Sequence, residues 1–385
     1  MAALHHLVFR SAFAAGPRAR RPAALLSLFL CTAAMATTAR GAVQYTVTDL
    51  GAAGPDGVWG GGGPGINDLG QVAGWYTGSD GNPHAVLISG GVRTDLGALG
   101  SNGSAGGRIN DSGQIVGESG AEAVLWTAPG VMQDLGSFNA YDINNAGQVA
   151  GAYRTGSRHA ILWTPSTITD LGTLASGAGF SVATAVNDSG QAVGESQTLP
   201  SGALHPFLYS GGKMTDLGVF ASNAPGEALD INHSGDVVGW CQNTDGYYRA
   251  FLSVGGGPLQ DLGTLGGNQA LAKAINSSGI IVGLAETGIV IPPPAGPEYV
   301  PEGFISDNGG PMQNLNSLID TASGWTITDA TDINDLGQIV GYGTNLSGQS
   351  DYVLLTPIST PEPSALALLA AALLGLAAWS LRRPR

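Results

Sequence analysis

Only two cysteines, Cys31 and Cys241, occur in 385 residues. The first falls in an N-terminal segment that reads as removed on export, which leaves one thiol and no intramolecular disulfide to staple the fold. Cys241 reads as a small buried hydrophobe. Positive charge is also scarce. Residues 42–361 carry seven Lys plus Arg against 28 Asp plus Glu, a balance of −21, and only Lys213 and Lys273 among the seven are lysines. A body this acidic repels phosphate backbones, which argues against nucleic-acid binding. No Ser-His-Asp, zinc or phosphate-loop constellation can be assembled by spacing.

Glycine, by contrast, is abundant, with 61 residues spread at a regular interval. The interval belongs to a phrase that recurs seven times: INDLGQVAG at 66–74, INDSGQIVG at 109–117, INNAGQVAG at 143–151, VNDSGQAVG at 186–194, INHSGDVVG at 231–239, INSSGIIVG at 275–283 and INDLGQIVG at 333–341. A unit of about 44 residues is too small to bury its own apolar face, so the copies share a core. Two further anchors accompany the phrase. One is a short apolar run, HAVLI at 84–88, EAVLW at 122–126, HAILW at 159–163, HPFLY at 205–209 and RAFLS at 249–253, with weaker versions at 302–306 and 351–355. The other is Asp-Leu-Gly at 49–51, 95–97, 134–136, 170–172, 216–218 and 261–263, degraded to Asn314-Leu315-Asn316.

The first anchor has the chemistry of a tight turn. Asn, a polar pair and then Gly between apolar strands predict a four-residue hairpin connection with Gly in a left-handed conformation and the Asn side-chain carbonyl accepting from backbone N–H groups ahead of it. The closing Gly of the phrase predicts a bulge or a close backbone approach. Each unit thus reads as four strands, the size of a propeller blade. Small residues stand three positions before each Ile or Val of the phrase (Gly63, Gly106, Ala140, Ala183, Ala228, Ala272, Ala330), and place the first strand at the crowded wall of a central channel. The ends set the topology. Residues 45–51 are a fourth strand with nothing before it, and 351–355 a third strand with nothing after it. Each supplies what the other lacks, so the expected fold is an all-β, seven-bladed β-propeller of four-stranded blades, closed by the N- and C-terminal strands, rather than an irregular β-solenoid or two smaller sheets.

Candidate sites are few. His84, His159 and His205 share one position at the start of the third strand, held elsewhere by Glu122, Arg249, Glu302 and Asp351; a strand start facing water is the simple reading. Asp142, Asp230 and Asp332 immediately precede the first-strand Ile in three units, with Arg108 at that position in another. If the first strand lines the channel, these carboxylates converge and can hold a cation such as calcium through oxygen ligands, solvation at a channel mouth being the simpler alternative. No other cofactor is implied. The Pro-rich stretch Ile291–Pro301 reads as a rigid inserted loop and a candidate contact surface.

The three anchors together resemble the extracellular HAF-repeat family over 45–356. The His-Ala-Phe phrase that names it is matched by His84-Ala85, His159-Ala160, His205-Pro206-Phe207 and Arg249-Ala250-Phe251. Members are bacterial, exported and mostly uncharacterised. The tail resembles the PEP-CTERM sorting signal: Pro361-Glu362-Pro363-Ser364, then the 17-residue apolar run 365–381, then Arg382, Arg383 and Arg385. A run of that length just suffices to span a bilayer as a helix, and the arginines after it stay cytoplasmic. The resemblance implies that an exosortase-type enzyme recognises Pro361, Glu362 and Pro363 and releases the body, in Gram-negative bacteria that make exopolysaccharide. At the other end, Arg18, Arg20 and Arg21 precede the apolar run 23–30, and small residues follow, as in a secretory signal.

The organisation expected is therefore a signal peptide at 1–41, a repeat propeller at 43–356 and a sorting signal at 360–385 with a transmembrane helix. The function expected is that of an exported, non-enzymatic surface or matrix protein, structural or adhesive, contacting exopolysaccharide or other surface proteins. The alternative is an extracellular propeller lyase or hydrolase acting on polysaccharide. That reading needs a convergent acid and base, and the sequence offers no obvious cluster of His, Tyr, Lys and Arg to supply them.

Overall fold

The computed structural model describes residues 44–54, 63–101, 103–156, 158–176, 179–199, 202–291 and 298–358. The expected signal peptide, the sorting residues Pro361, Glu362 and Pro363 and the apolar run 365–381 lie outside them. Strand β1 (Gln44–Ala52) opens the ring. Blade 1 is β2 (Gly65–Ile66), β3 (Val72–Thr77), β4 (Pro83–Ser89) and β5 (Val92–Asp95), and blade 2 is β6 (Ser104–Ile109), β7 (Ile115–Ser119), β8 (Glu122–Ala128) and β9 (Val131–Gly136). Blade 3 is β10 (Phe138–Ile143), β11 (Val149–Tyr153), β12 (Ala160–Trp163) and β13 (Ile168–Gly172), and blade 4 is β14 (Ser181–Val186), β15 (Ala192–Gln197), β16 (Leu204–Ser210) and β17 (Lys213–Asp216). Blade 5 is β18 (Gly226–Ile231), β19 (Val237–Gln242), β20 (Tyr248–Ser253) and β21 (Gln260–Asp261), and blade 6 is β22 (Gly266–Ile275), β23 (Ile280–Ile291), β24 (Glu298–Asp307) and β25 (Gln313–Asn314). Blade 7 comprises β26 (Trp325–Ile333), β27 (Ile339–Asn345) and β28 (Ser350–Ile358), completed by β1.

The seven sheets are antiparallel, and the seven-bladed propeller is the fold. The closure is the expected one: β1 runs antiparallel to β28, with Gln44 opposite Ile358 and Val47 opposite Leu355. The Tyr45 N–H also donates to the Leu318 carbonyl at 2.8 Å, tying the closing strand to the segment that connects blade 6 to blade 7.

Between every pair of neighbouring blades lies one apolar cluster, and the anchors explain its membership. At each joint the Leu of Asp-Leu-Gly from one blade meets the Ile or Val of the turn phrase from the next: Leu96 with Ile109, Leu135 with Ile143, Leu171 with Val186, Leu217 with Ile231, Leu262 with Ile275, Leu315 with Ile333 and Leu50 with Ile66. Burying such side chains contributes about 1.5–3 kcal/mol each, and no blade does so alone.

The turn reads as expected. The seven turn glycines have φ between +71° and +84°, a region that L side chains rarely adopt. The closing glycine has a sharper reason. In six blades the inner strand carries a bulge two residues before its Ile or Val, as between Ala183 and Ala185. A Cβ on Gly117, Gly151, Gly194, Gly239, Gly283 or Gly341 would lie 2.0–2.1 Å from a carbonyl oxygen of that strand. The small residues expected at the channel wall sit elsewhere. Ala140, Ala183, Ala228, Ala272 and Ala330 are buried within the apolar joints, because the bulge turns them towards the neighbouring blade. The Pro-rich loop is also shorter than its sequence suggests. Strand β23 continues to Ile291, and Pro301 pairs with Glu286 beyond the reach of β25, where a missing N–H costs no ladder bond.

Candidate functional site

The inner strands end in the Asn turns, which crown one face of the ring (the turn face). Each Asn is buried, and six of the seven use the whole amide; Asn276, with Ile280 where the others have Gln or Asp, makes one Nδ2 bond. Asn144 Oδ1 accepts from the N–H groups of Ala146 and Gln148, at 3.1 and 2.8 Å. Its Nδ2 donates to Gln148 Oε1 at 2.8 Å and to the main-chain carbonyl of Asn187, in the next blade, at 2.8 Å. The same step runs from Asn67 to Asn110, Asn144, Asn187, Asn232, Asn276, Asn334 and back to Asn67, at 2.8–3.3 Å. The sequence had suggested only the acceptor half of this role. A depression of about 200 Å³ opens inside the crown.

Behind the crown, on the axis, lie the carboxylates singled out from the sequence. The structure brings Asp142, Asp230 and Asp332 together with Arg108. Arg108 Nη1 meets Asp332 Oδ2 at 3.0 Å, with the two side chains 19% and 17% exposed. Each carboxylate also accepts from the inner strand of the following blade: Asp142 from Val186 N–H at 2.8 Å, Asp230 from Ile275 N–H at 2.8 Å and Asp332 from Ile66 N–H at 2.9 Å. The other three blades have Gly65, Ala185 and Ala274 at this position, which leaves room for the charged side chains. Burial pushes Asp142 up to about 6 and Asp230 up to about 7, with repulsion from Asp332 adding to both and Arg108 opposing both. Asp332 is raised by burial as well, less the pull of Arg108. Burial alone would lower Arg108, but the three carboxylates outweigh it and hold the guanidinium charged. The cation facing the carboxylates is thus the protein's own arginine. Among the described residues no group of three or more His, Cys, Asp or Glu side chains is arranged to hold a metal ion.

Towards the opposite face, which carries the loops between second and third strands (the loop face), the structure assembles a belt that the sequence left scattered. Arg154 Nη2 lies 2.8 Å from Glu118 Oε1, and Lys273 Nζ lies 2.5 Å from Asp329 Oδ2. Tyr141 Oη accepts from Asn139 Nδ2 at 2.8 Å and from Arg158 Nη2 at 3.0 Å. Trp240 Nε1 donates to Glu227 Oε2 at 3.1 Å, and Trp240 packs edge-on to Tyr248, ring centres 4.7 Å apart. Trp75, Glu118 and Tyr141 line one small cleft of about 10 Å³. Arg154 Nε and Asn139 Oδ1 are buried without a hydrogen-bond partner. Burial raises Glu227 to about 7, the charge of Glu195 adds to this, and the Trp240 bond opposes it. Glu195 is raised by burial, less the pull of Arg158. The ladder places these groups in one layer: Ala105 opposite Glu118, Val182 opposite Glu195, Glu227 opposite Trp240 and Asp329 opposite Tyr342. A convergent cluster of His, Tyr, Lys and Arg is not expected from the sequence; the structure brings Arg158 to Tyr141 in blade 3, and pairs Arg154 with Glu118 and Lys273 with Asp329 at two separate joints.

The histidines have a local role. His84 Nδ1 meets Asp95 Oδ2 at 2.7 Å, His159 meets Asp170 at 3.0 Å, His205 meets Asp216 at 2.9 Å, and Arg249 meets Asp261 at 3.2 Å. In blade 6 the polarity is exchanged, Asn314 donating to Glu302. The first residue of the apolar run therefore pairs across strands with the Asp of Asp-Leu-Gly. That Asp also accepts from the Gly two residues on, as Asp95 does from Gly97 at 2.7 Å.

Residues 359–383 match the family model described as the PEP-CTERM protein-sorting motif. No curated protein matches the chain. Among solved structures, a puromycin-hydrolysing peptidase from Mycobacterium tuberculosis aligns with TM-score 0.50 at 13% identity, covering 81% of this chain and 58% of that one. The β-propeller domain of the Trilobed protease from Pyrococcus furiosus aligns with TM-score 0.47 at 11% identity, covering 66% and 82%. At such identities the likeness concerns the ring alone. The sorting motif points to export and to a surface or extracellular location, and it implies processing by an exosortase-type enzyme. Among the described residues no helix is long and apolar enough to cross a membrane.

Proposed function

We propose that the chain is a non-enzymatic surface or matrix protein whose propeller contacts exopolysaccharide through its loop face, after a transient membrane anchor has been removed with the tail. The resemblance of its repeats to HAF repeats fits such a role. The observation that carries the reading is the belt around Tyr141, Arg158, Glu227 and Trp240. Sugar rings offer an apolar C–H face and a rim of hydroxyls, each both donor and acceptor. An aromatic surface beside fixed carboxylates and guanidinium groups suits both. A ring locked at every joint suits display rather than motion.

Co-sedimentation of the purified protein with extracellular polysaccharide from its own cells tests this. Retention that falls at least tenfold in Trp240→Ala and in Arg158→Ala supports it; equal retention of all three proteins counts against it. One observation favours the alternative enzyme. Glu195 and Glu227 repel one another, and Glu227 is raised to about 7, so one can stay protonated while the other is ionised, the condition for an acid–base pair on a glycosidic bond. Release of reducing ends from that polysaccharide, lost in Glu227→Gln, would select it.

A further inference from the structure

Two of the seven Asn turns differ from the rest. Leu69 and Leu336 occupy the position that is Ser112, Ala146, Ser189, Ser234 or Ser278 elsewhere. They are 70% and 64% exposed. They belong to blades 1 and 7, the pair that meets where the ring closes. Between them a groove of about 280 Å³ is lined by Leu50, Leu69, Ile88, Leu336 and Leu354. Asp68 and Asp335 lie next to the leucines, the Asp335 N–H donating to Asp68 Oδ1 at 2.8 Å.

The same corner is where the domain ends. Gln44 stands opposite Ile358, so both ends of the ring leave from the turn face. Gln338, two residues after Leu336, reaches Thr356 Oγ1 at 3.5 Å. The sorting motif begins at residue 359, directly after β28. Pro361 is three residues beyond Ile358, about 10 Å at full extension. An enzyme working on that motif therefore meets the turn face of the folded ring, at the closure seam.

We infer that the seam formed by Leu69, Leu336 and the groove between them is a docking surface for the membrane-embedded enzyme that processes the tail. The inference rests on the sorting reading above. The complementary partner surface is an apolar projection flanked by basic side chains, which would meet Asp68 and Asp335. Exposed leucine at these two turns alone costs solubility and adds nothing to the ring's core. It becomes useful only against a partner that the tail brings to this corner. The geometry also turns the loop face away from the tether, so the belt around Tyr141 and Trp240 faces outward while processing takes place.

The test is a pulse-chase of tail removal in cells carrying the processing enzyme, comparing the full-length chain with Leu69→Ser/Leu336→Ser. Serine is what most of the other turns carry, so the ring is expected to fold, and an unchanged Tm verifies it. Tail removal is expected to slow at least fivefold in the double variant and to be unaffected in Val254→Ser, which removes an equally exposed apolar residue, 65% exposed, from another turn. Wild-type kinetics in the double variant, or equal slowing in Val254→Ser, would overturn the inference while leaving the sorting reading intact. A wild-type chain that keeps its tail beside an active enzyme would overturn the sorting reading itself, and the inference with it.

Discussion

Asn334 donates its Nδ2 hydrogen to the main-chain carbonyl of Asn67 at 2.9 Å, across 267 residues of sequence. This bond is the closing link of the amide ring and joins blade 7 to blade 1, whereas the ladder between β1 and β28 completes the sheet of blade 7 itself. The ring is thus closed by two different means, a side-chain amide across the joint of blades 7 and 1 and a strand ladder that completes blade 7. Each blade still ends in an outer edge strand, but in blades 1 to 6 these edges are short, from the two residues of β21 and β25 to the six of β9, which limits edge-to-edge pairing.

The amide ring should carry much of the stability at each joint. Asn144→Ala removes bonds to its own turn and leaves the Asn187 carbonyl without this donor inside the protein. The expected loss is about 3 kcal/mol, measured by chemical denaturation. Asn145→Ala, one residue along and exposed, also breaks bonds across the joint, to Asp111 and Asp188, but water replaces them, and the expected loss is below about 1 kcal/mol. Equal losses would mean that the buried amide has no special part.

Gly194→Ala should destabilise although its φ is not in the left-handed region, because its Cβ would lie 2.0 Å from the Val182 carbonyl oxygen. Relief requires moving the bulged inner strand, at about 3 kcal/mol. Gly81→Ala, with nothing within 4 Å but φ of +80°, should cost only the backbone strain, about 1 kcal/mol. The reverse order of thermal shifts would contradict the close approach.

The axial cluster makes stability depend on pH with a definite sign. Asp142 and Asp230, at about 6 and 7 in the fold, lie above the unfolded carboxylate value near 4. Between those values the folded state binds more protons, so their contribution is fully present at low pH and is lost as pH rises from about 4 through about 7. Glu227 acts in the same direction. Arg108→Met removes the counter-ion and should cost about 3–5 kcal/mol at pH 8, with the deficit shrinking towards pH 5 as the carboxylates take up protons. A deficit that is constant across that range would show that the arginine acts only by packing.

How much of this the sequence revealed depends on where each partner lies. The four-strand unit, the turn glycines and the closing strand were legible because each repeats a local pattern, and the orphan strands at 45–51 and 351–355 named each other. The donor half of Asn144 was not, since its partner is a main-chain carbonyl that leaves no residue signature. The pairing of His84 with Asp95 was within reach: His159 and Asp170, and His205 and Asp216, repeat the same step of 11 residues, and the exchange of polarity at Glu302 and Asn314 repeats its logic. Arg108 was seen at the aspartate position, but its role as their counter-ion needed the ring to bring blade 2 to the axis. The belt around Tyr141 and Trp240 was invisible because each blade supplies one or two unlike residues, with no repeat to mark them.

The central claim is that this closed ring is built for delivery outside the cell by way of the motif that starts where β28 ends. Intact-mass measurement of the protein recovered from the cell surface and surrounding matrix tests it most directly. The account predicts a species that begins near residue 42 and ends near Pro363, without the apolar run 365–381. Recovery of a chain that retains that run, or recovery of the protein only from inside the cell, would contradict it.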